Sequence, residues 1–393
     1  MAALLLLPHA PAGAADDEPP RVGGDELYGS GLLVGGAATP LPAVGAKSFL
    51  IADLDTGDVL AAQNAHAPLP PASTIKMLTA LTVLPRVDLD GVYVASGDDV
   101  RVEGSKVGIV EGSTYTARQL FEGMFLVSGN DAANAVASLT GDFEGTLAQM
   151  QAEAGRLQAY DTVVQTPHGL DAAGQVSSAY DLALMARAGL QDPDFTDLAT
   201  LGNSTFPMSG TAEPQSRPTF EIWNQNTLVT GDYEGAIGVK SGFTTEAGRT
   251  LAAAAERDGQ RYLVTLMGIE GSTYETGELY LDWAFDNGSQ LEPVGSLVAP
   301  KFASAPSDGA VVLSASGAGP AGEVSAAGSL GSRFAIPTGT VGLVVAIASI
   351  GAVALLWLSL RTHYRDGVRW RPAPAPRRDE RTIDLREQEH SRV

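Results

Sequence analysis

The chain has 393 residues, of which 44% are hydrophobic, and a formal net charge of −21 at pH 7. It contains no cysteine, which excludes disulfides, thiolate metal sites and a cysteine nucleophile. The acidic balance disfavours nucleic-acid binding, and only His66 and His168 lie away from the chain ends, so we do not expect a zinc site built from histidines.

The N-terminal region has the composition of a leader followed by a spacer. Residues 1–15 contain a short apolar run and then small residues, as in a secretory signal peptide cleaved near Ala14 or Ala15, but no basic residue precedes the run. The alternative for this segment is a disordered apolar tail. Residues 16–40 are rich in glycine, proline and acidic residues, and we predict a flexible lead-in there.

Strand and helix patterns fill the middle of the chain. Runs at 47–52 and 59–62 form one hairpin pattern, and runs at 250–255 and 261–267 flank Asp258-Gly259, a favoured hairpin turn. A further strand is predicted at 237–244. Helical patterns cover 73–84, 117–127, 131–139, 143–158, 178–190 and 273–286. Strands at both ends with helices between them predict one domain over 41–290, an antiparallel sheet covered by helices.

The sequence Ser-Thr-Ile-Lys at 73–76 places a hydroxyl and an ammonium at the start of a helix that is otherwise almost wholly apolar. Ser73 and Lys76 would lie on one face of that helix, one turn apart. Burial would lower the pKa of Lys76, and a neutral lysine is a general base that can activate Ser73 as a nucleophile. The alternative is a lysine whose ammonium reaches solvent from the helix end.

Two further motifs follow the Ser-x-x-Lys motif along the chain. Ser128 and Asn130 lie in Ser-Gly-Asn, between two helical patterns, where the simpler interpretation is a helix cap. Lys240, Ser241 and Gly242 lie in a predicted strand, where the simpler interpretation is an exposed lysine. The order Ser-x-x-Lys, Ser-x-Asn, Lys-Ser-Gly is that of penicillin-binding proteins and serine β-lactamases.

The chain resembles the serine D-alanyl-D-alanine carboxypeptidases, which are low-molecular-mass penicillin-binding proteins, and it is most similar to an actinobacterial, membrane-anchored branch. The resemblance covers about residues 41–290. It is carried by Asp-Leu-Asp-Thr-Gly-Asp-Val-Leu at 53–60, Leu-Pro-Pro-Ala-Ser-Thr-Ile-Lys at 69–76, Val-Ser-Gly-Asn-Asp-Ala-Ala at 127–133, Pro-His-Gly-Leu-Asp at 167–171 and Gly-Val-Lys-Ser-Gly-Phe-Thr at 238–244. It implies an α/β (α+β) fold of the penicillin-binding/serine β-lactamase type with a five-stranded antiparallel sheet, and no metal or cofactor.

The resemblance also implies a role for each motif in removing the terminal D-Ala from peptidoglycan stem peptides, with β-lactam antibiotics as covalent inhibitors. Ser73 would be the acyl-ester nucleophile, Lys76 its general base, Ser128 a proton relay and Asn130 a ligand of the substrate amide. The predicted substrate-binding residues are Lys240, Ser241 and Thr244 for the carboxylate, Gly242, and Phe243, whose backbone N–H would form an oxyanion hole with that of Ser73.

Two residues depart from the commoner family pattern. The third motif has Ser241 where threonine is commoner, and serine keeps the hydroxyl that the carboxylate needs. The middle residue of the second motif is Gly129, not the aspartate of class A β-lactamases. A second, β-rich domain that many family members carry is not expected, because the segment from about 290 to 333 is short and rich in glycine and alanine.

The C-terminal region predicts a membrane anchor. Residues 291–337 form a Gly/Ala/Ser-rich linker, and 338–360 form an apolar, uncharged stretch of the length of a transmembrane helix. The tail 361–393 begins with Arg361, Arg365, Arg369 and Arg371, so we expect a cytoplasmic C-terminus and an extracellular catalytic domain on a single-pass protein of the cell membrane.

Three other functions remain open. A DD-endopeptidase would use the same motifs on cross-links. A serine β-lactamase of class A would need a Glu-x-x-Leu-Asn segment, which the chain lacks. A membrane-anchored penicillin sensor, a function of another class, normally has a larger intracellular part than the tail after 360. We expect His168, Asn224 and Asn226 to brace loops rather than to bind substrate.

Overall fold

The computed structural model describes residues 20–36, 39–231 and 233–301. Its strands are β1 (Leu32–Val34), β2 (Ser48–Asp53), β3 (Asp58–Gln63), β4 (Val92–Val94), β5 (Thr114–Thr116), β6 (Asn203–Pro207), β7 (Thr219–Trp223), β8 (Ala236–Thr244), β9 (Gly248–Arg257), β10 (Gln260–Ile269) and β11 (Gly295–Ser296). Its helices are α1 (Lys76–Val83), α2 (Gly97–Val100), α3 (Ala117–Leu126), α4 (Asn130–Ser138), α5 (Phe143–Leu157), α6 (Ala179–Gly189), α7 (Pro193–Thr200), α8 (Thr227–Thr230) and α9 (Thr273–Asn287).

The main sheet is antiparallel and has the order β1-β3-β2-β10-β9-β8, with β11 also paired to β3. The two predicted hairpins are confirmed as β2–β3 and β9–β10. The second turns at Asp258 and Gly259, whose φ angles of 52° and 78° suit a tight primed turn. Two small ribbons, β4–β5 and β6–β7, lie outside this sheet.

The expected count of five strands is wrong for this sheet, which has seven within the described residues. The five long strands, β3, β2, β10, β9 and β8, form the predicted sheet. The short strands β1 and β11 pair with opposite ends of β3. One comes from the N-terminal flank and the other from the C-terminal flank, and together they cover the outer edge of β3. Strands of three and two residues are too short to leave a periodic pattern in a sequence.

The domain also extends beyond the predicted limits 41–290. The lead-in, predicted to be flexible, contains a turn of 3-10 helix at Asp25–Tyr28 and the strand β1, and Leu27 is buried in the core. On the other side, Leu297 is buried and donates its backbone N–H to Gly57, and Lys301 donates its own to Arg156. These hydrogen bonds tie the C-terminal flank to the domain, and the pairing of β1 with β3 ties the N-terminal flank.

Helices cover both faces of the sheet. On one face α9 packs on β9 and β10, with Tyr280, Leu281 and Ala284 buried against Leu251 and Val264. On the other face α6 packs on β2 and β10, and α1 lies among α4, α5 and α6 in the main core. The alanine run of β9 is buried on both faces, which explains why it shows no polar alternation.

Among the described residues, no helix has the length and apolar character needed to cross a bilayer. The predicted signal peptide (1–15), the predicted transmembrane helix (338–360) and the predicted basic tail (361–393) all lie outside the described residues.

Candidate active site

Ser73 lies in a single turn of 3-10 helix, Ala72–Ile75, and Lys76 is the first residue of α1. The predicted α-helix from residue 73 therefore begins three residues later. This difference matters because a 3-10 turn has three residues per turn, so side chains at i and i+3 eclipse each other. The Lys76 Nζ lies 2.8 Å from the Ser73 Oγ. The turn is entered through Ala72, whose φ of 50° is unusual for a residue with a Cβ.

Lys76 is completely buried, and its Nζ has two further partners besides Ser73. It donates to the side-chain oxygen of Asn130 at 2.7 Å and to the main-chain oxygen of His168 at 2.8 Å. Burial, reinforced by the nearby charge of Lys240 and opposed by Asp131, holds the pKa of Lys76 well below its ordinary value. The alternative interpretation, a lysine that reaches solvent, is wrong.

The partners of Lys76 suit a neutral amine. A neutral amine has two N–H groups and one lone pair. Asn130 Oδ1 and His168 O can only accept, so they take both N–H groups. The lone pair is then left for the third neighbour, the Ser73 hydroxyl, which can donate its proton directly to Nζ.

The turn between α3 and α4 brings the second motif to the same place. Ser128 is nearly buried, with φ of 57°, and its hydroxyl has no hydrogen-bond partner within the described residues. Asn130 donates its side-chain N–H to the Glu103 carbonyl at 2.7 Å, which orients its amide oxygen toward Lys76. Space is limited between them, since a Cβ on Gly129 would lie 2.8 Å from Asp131 Oδ1 and 3.0 Å from the Val107 nitrogen.

Asp131 is fully buried and holds the loop that borders this turn. Its carboxylate accepts the backbone N–H groups of Val107, Gly108 and Ile109 at 2.9, 2.8 and 3.1 Å. The simple helix-cap interpretation of this segment is therefore incomplete, since Asp131 anchors a separate loop and Asn130 binds the lysine.

The strand β8 carries the third motif along the edge of the sheet. Lys240 is buried, and burial lowers its pKa to about 7. Its Nζ donates to the main-chain oxygen of Ser241 at 2.8 Å. Gly242 passes beside Ser73, and Phe243 is 64% exposed. The interpretation of Lys240 as an exposed strand lysine is wrong.

The Thr244 hydroxyl, predicted to bind the substrate carboxylate, has two partners in the free protein. It donates to Asp171 at 2.6 Å and accepts the backbone N–H of Ala247 at 3.0 Å. The hydroxyl proton is thus given to Asp171 in the free protein, and these two hydrogen bonds brace the end of β8.

The residues expected to brace loops do so. The His168 ring accepts the backbone N–H of Leu170, and burial lowers its pKa to about 4, so the ring is neutral at pH 7. Asn224 donates to the Leu201 carbonyl, and Asn226 accepts the backbone N–H of Leu228. Sequence reasoning missed the main-chain oxygen of His168, the carboxylate of Asp171 and the phenol of Tyr274, which lies 2.9 Å from the Ser241 hydroxyl.

The comparisons with known proteins agree with this geometry. A family model described as D-alanyl-D-alanine carboxypeptidase matches residues 36–271. The chain is 40% identical over 268 residues to the D-alanyl-D-alanine carboxypeptidase DacB2 of Mycobacterium tuberculosis, covering 66% of this chain and 89% of that protein. It is 31% identical over 254 residues to the D-alanyl-D-alanine carboxypeptidase DacF of Bacillus subtilis, covering 61% of this chain and 62% of that protein.

Solved structures give the same result. A D-alanyl-D-alanine carboxypeptidase from Mycobacterium tuberculosis superposes with a TM-score of 0.60 at 36% identity, covering 67% of this chain and 97% of that chain. A DD-transpeptidase from Streptomyces superposes with a TM-score of 0.60 at 25% identity, covering 63% of this chain and 100% of that chain. The resemblance seen in the motifs is confirmed: the chain belongs to the D-alanyl-D-alanine carboxypeptidase family of peptidases.

Proposed function

We propose that the protein is a serine DD-carboxypeptidase that removes the terminal D-Ala from peptidoglycan stem pentapeptides through an acyl-enzyme on Ser73. The observation that carries this proposal is the environment of Lys76 Nζ, which lies 2.8 Å from Ser73 Oγ with both of its remaining positions filled by carbonyl oxygens. That arrangement supports Lys76 as the direct proton acceptor for Ser73.

Acylation begins when the neutral Lys76 takes the hydroxyl proton of Ser73. The Ser73 oxygen then attacks the carbonyl carbon of the penultimate D-Ala, and the developing oxyanion is stabilised by the backbone N–H groups of Ser73 and Phe243. Gly242 lets β8 approach the nucleophile closely enough for this, because any Cβ there would contact the Ser73 backbone. Since β8 is an edge strand of the described sheet, an extended peptide can pair with it.

Lys240 and Ser241 bind the C-terminal end of the substrate peptide. The ammonium of Lys240 supplies the positive charge for the terminal carboxylate, and the Ser241 hydroxyl supplies a hydrogen bond. Asn130 has a second side-chain N–H beyond the one given to Glu103, and it binds the substrate amide. The free hydroxyl of Ser128 passes a proton to the departing amine of D-Ala, and water then hydrolyses the ester.

The same acylation by a β-lactam gives the inhibited enzyme and the first test. With wild-type protein, a labelled penicillin should form an adduct on Ser73, and a pentapeptide ending in D-Ala-D-Ala should release free D-Ala. Ser73→Ala should abolish both, whereas Ser289→Ala, at an exposed serine, should abolish neither. Release of D-Ala by Ser73→Ala at the wild-type rate would disprove the mechanism. Rapid loss of the penicillin adduct would instead indicate a β-lactamase.

We also propose that the domain works on the outer side of the cell membrane, held by residues 338–360. The support is the uncharged stretch from 334 to 360 followed by Arg361, Arg365, Arg369 and Arg371. In spheroplasts of cells making the full chain with a C-terminal epitope, external protease should degrade the catalytic domain and leave the epitope protected. An epitope digested together with the domain would contradict this orientation.

A further inference from the structure

The hydroxyl of Ser241 is the start of a short hydrogen-bond chain that leads away from the three motifs. Its Oγ lies 2.9 Å from the phenol oxygen of Tyr274, a residue in the first turn of α9. The Tyr274 hydroxyl in turn donates to the main-chain oxygen of Gln225 at 2.7 Å. The backbone N–H of Gln225 donates to Leu126, at the end of α3. This series of hydrogen bonds therefore connects Ser241, which is proposed to bind the substrate carboxylate, to the segment that precedes Ser128.

A serine hydroxyl needs such a contact more than a threonine hydroxyl does. Serine has three staggered χ1 rotamers of similar energy, whereas the second branch of threonine restricts χ1. Ser241 is paired with Leu251 on β9, which offers no polar group to its side chain. Within the described residues, Tyr274 is the hydrogen-bond partner of the Ser241 hydroxyl.

We propose that Tyr274 is a positioning residue for substrate recognition: its phenol holds the Ser241 hydroxyl in the rotamer that meets the terminal carboxylate of the substrate. The inference rests on the proposed function, because it assumes that the pocket at Lys240 and Ser241 binds a peptide carboxylate. The contact with Tyr274 would orient the hydroxyl of Ser241 at a position where threonine, which orients its own hydroxyl, is commoner.

The directions of the hydrogen bonds follow from the number of protons. The phenol has one proton, and it is donated to Gln225, so Ser241 donates its own proton to Tyr274 in the free enzyme. A bound carboxylate needs that serine proton. Both hydroxyl hydrogens then turn about their C–O bonds, while Ser241 keeps its χ1 rotamer. Tyr274 donates to Ser241, and Ser241 donates to the carboxylate; no covalent bond changes. The Gln225 carbonyl lies at an exposed position where water can replace the phenol.

The test compares Tyr274→Phe with wild type on a D-Ala-D-Ala pentapeptide and on the same peptide with a C-terminal amide. Removing one oriented hydrogen bond should raise KM for the free carboxylate by about 3- to 10-fold and change kcat by less than about 2-fold. The amide, which lacks the charge that the hydroxyl recognises, should be unaffected. Tyr233→Phe is the matched control, because Tyr233 also donates its phenol proton to α9, at Asp282, but does not contact Ser241.

A rescue experiment separates positioning from a merely structural role. In the Tyr274→Phe background, Ser241→Thr should bring KM for the free carboxylate back to within about 2-fold of wild type, because the branched side chain orients its own hydroxyl. If Tyr274 only fastened α9 to Gln225, Ser241→Thr would restore nothing. Failure of this rescue, or equal losses on the two peptides, would overturn the proposal.

A second readout keeps the inference testable if the peptide is not a substrate. The acylation rate constant of Ser73 should fall in Tyr274→Phe for benzylpenicillin, which carries a carboxylate, and stay unchanged for its methyl ester. If wild type released no D-Ala from either peptide, the proposed function would fail, whereas this difference between acid and ester would still support the role of Tyr274. Equal rates of Tyr274→Phe and wild type with benzylpenicillin would overturn that role.

Discussion

Gly242 and Ser73 are in contact through their backbones, so closely that a Cβ on residue 242 would lie 2.6 Å from the Ser73 nitrogen. The same Cβ would lie 2.7 Å from Thr250 Oγ1 and 2.9 Å from the Ala72 Cβ. Glycine is thus required here for space. This contact fixes β8 beside the nucleophile, on the side where the substrate peptide would pair.

Gly242→Ala should therefore disturb catalysis more than folding. The new methyl group would push β8 away from Ser73, and displacements approaching 1 Å cost about 100-fold in rate. We expect penicillin acylation of Ser73 to slow by about that factor, with a loss of stability of about 1 to 3 kcal/mol from overpacking. Gly155→Ala in α5, where a Cβ meets nothing within 4 Å, is the control and should acylate normally. Acylation of Gly242→Ala at the wild-type rate would show that β8 can move away from Ser73 without slowing the reaction.

The two buried lysines predict a bell-shaped pH dependence of kcat/KM. Lys76 must be neutral to accept a proton, and its pKa is lowered by burial, so activity should fall as pH drops through that lowered pKa. Lys240 must be charged to bind a carboxylate, and burial lowers its pKa to about 7, so activity should also fall as pH rises above about 7. Rates measured from pH 5 to 10 test this. Activity that kept rising up to pH 10, as expected if both lysines had their ordinary pKa values, would contradict it.

Thr244 and Ser241 should behave differently although both carry hydroxyl groups on β8. Thr244→Val removes the hydrogen bonds to Asp171 and from Ala247, which should lower stability by about 1 to 3 kcal/mol and leave KM for the free-carboxylate peptide nearly unchanged. Ser241→Ala should raise KM and leave thermal stability nearly unchanged. Asp171→Ala removes the same hydrogen bond and should also lower stability while leaving KM nearly unchanged. A raised KM with unchanged stability in Thr244→Val would instead indicate that Thr244 binds the substrate carboxylate.

Asp131→Asn should change both stability and the pH profile. One oxygen of the buried carboxylate would become an N–H₂ group facing backbone N–H donors, which should cost about 3 kcal/mol in the free energy of unfolding. The charge of Asp131 also raises the pKa of Lys76, so its removal should move the acidic limb of the activity profile to lower pH. Denaturant unfolding and rates near pH 5 measure the two effects. A shift of that limb to higher pH would contradict the electrostatic part.

The fold and the motifs were largely predictable because each left a pattern of its own. The helix pattern at 117–127 appears as α3 (Ala117–Leu126), and the turn Asp258-Gly259 joins β9 to β10. Such elements are specified by local periodicity and turn chemistry. The Ser73–Lys76 pair was likewise visible, since both residues lie in one short stretch.

The remaining features depend on groups that have no signature in a sequence. The second acceptor for Lys76 is a main-chain oxygen, that of His168, and every residue has one. Tyr274 reaches Ser241 only because α9 packs beside the end of β8, and Thr244 meets Asp171 through the packing of a distant loop. These contacts are products of tertiary structure, so composition and spacing could not assign them.

The two carbonyl oxygens around Lys76 have a consequence for the departure of the amine during acylation. Once the amine has accepted the serine proton, it has three N–H groups, while Asn130 and His168 still accept only two. The third then faces the Ser73 oxygen, which is now bonded to the substrate carbon, while Lys76 itself is buried. The tetrahedral intermediate therefore carries one more N–H on Lys76 than its two carbonyl partners accept, and passing that proton through Ser128 to the departing amine removes the mismatch as the acyl-enzyme forms. The number of acceptors around this one nitrogen thus favours transfer of the proton onward from Lys76.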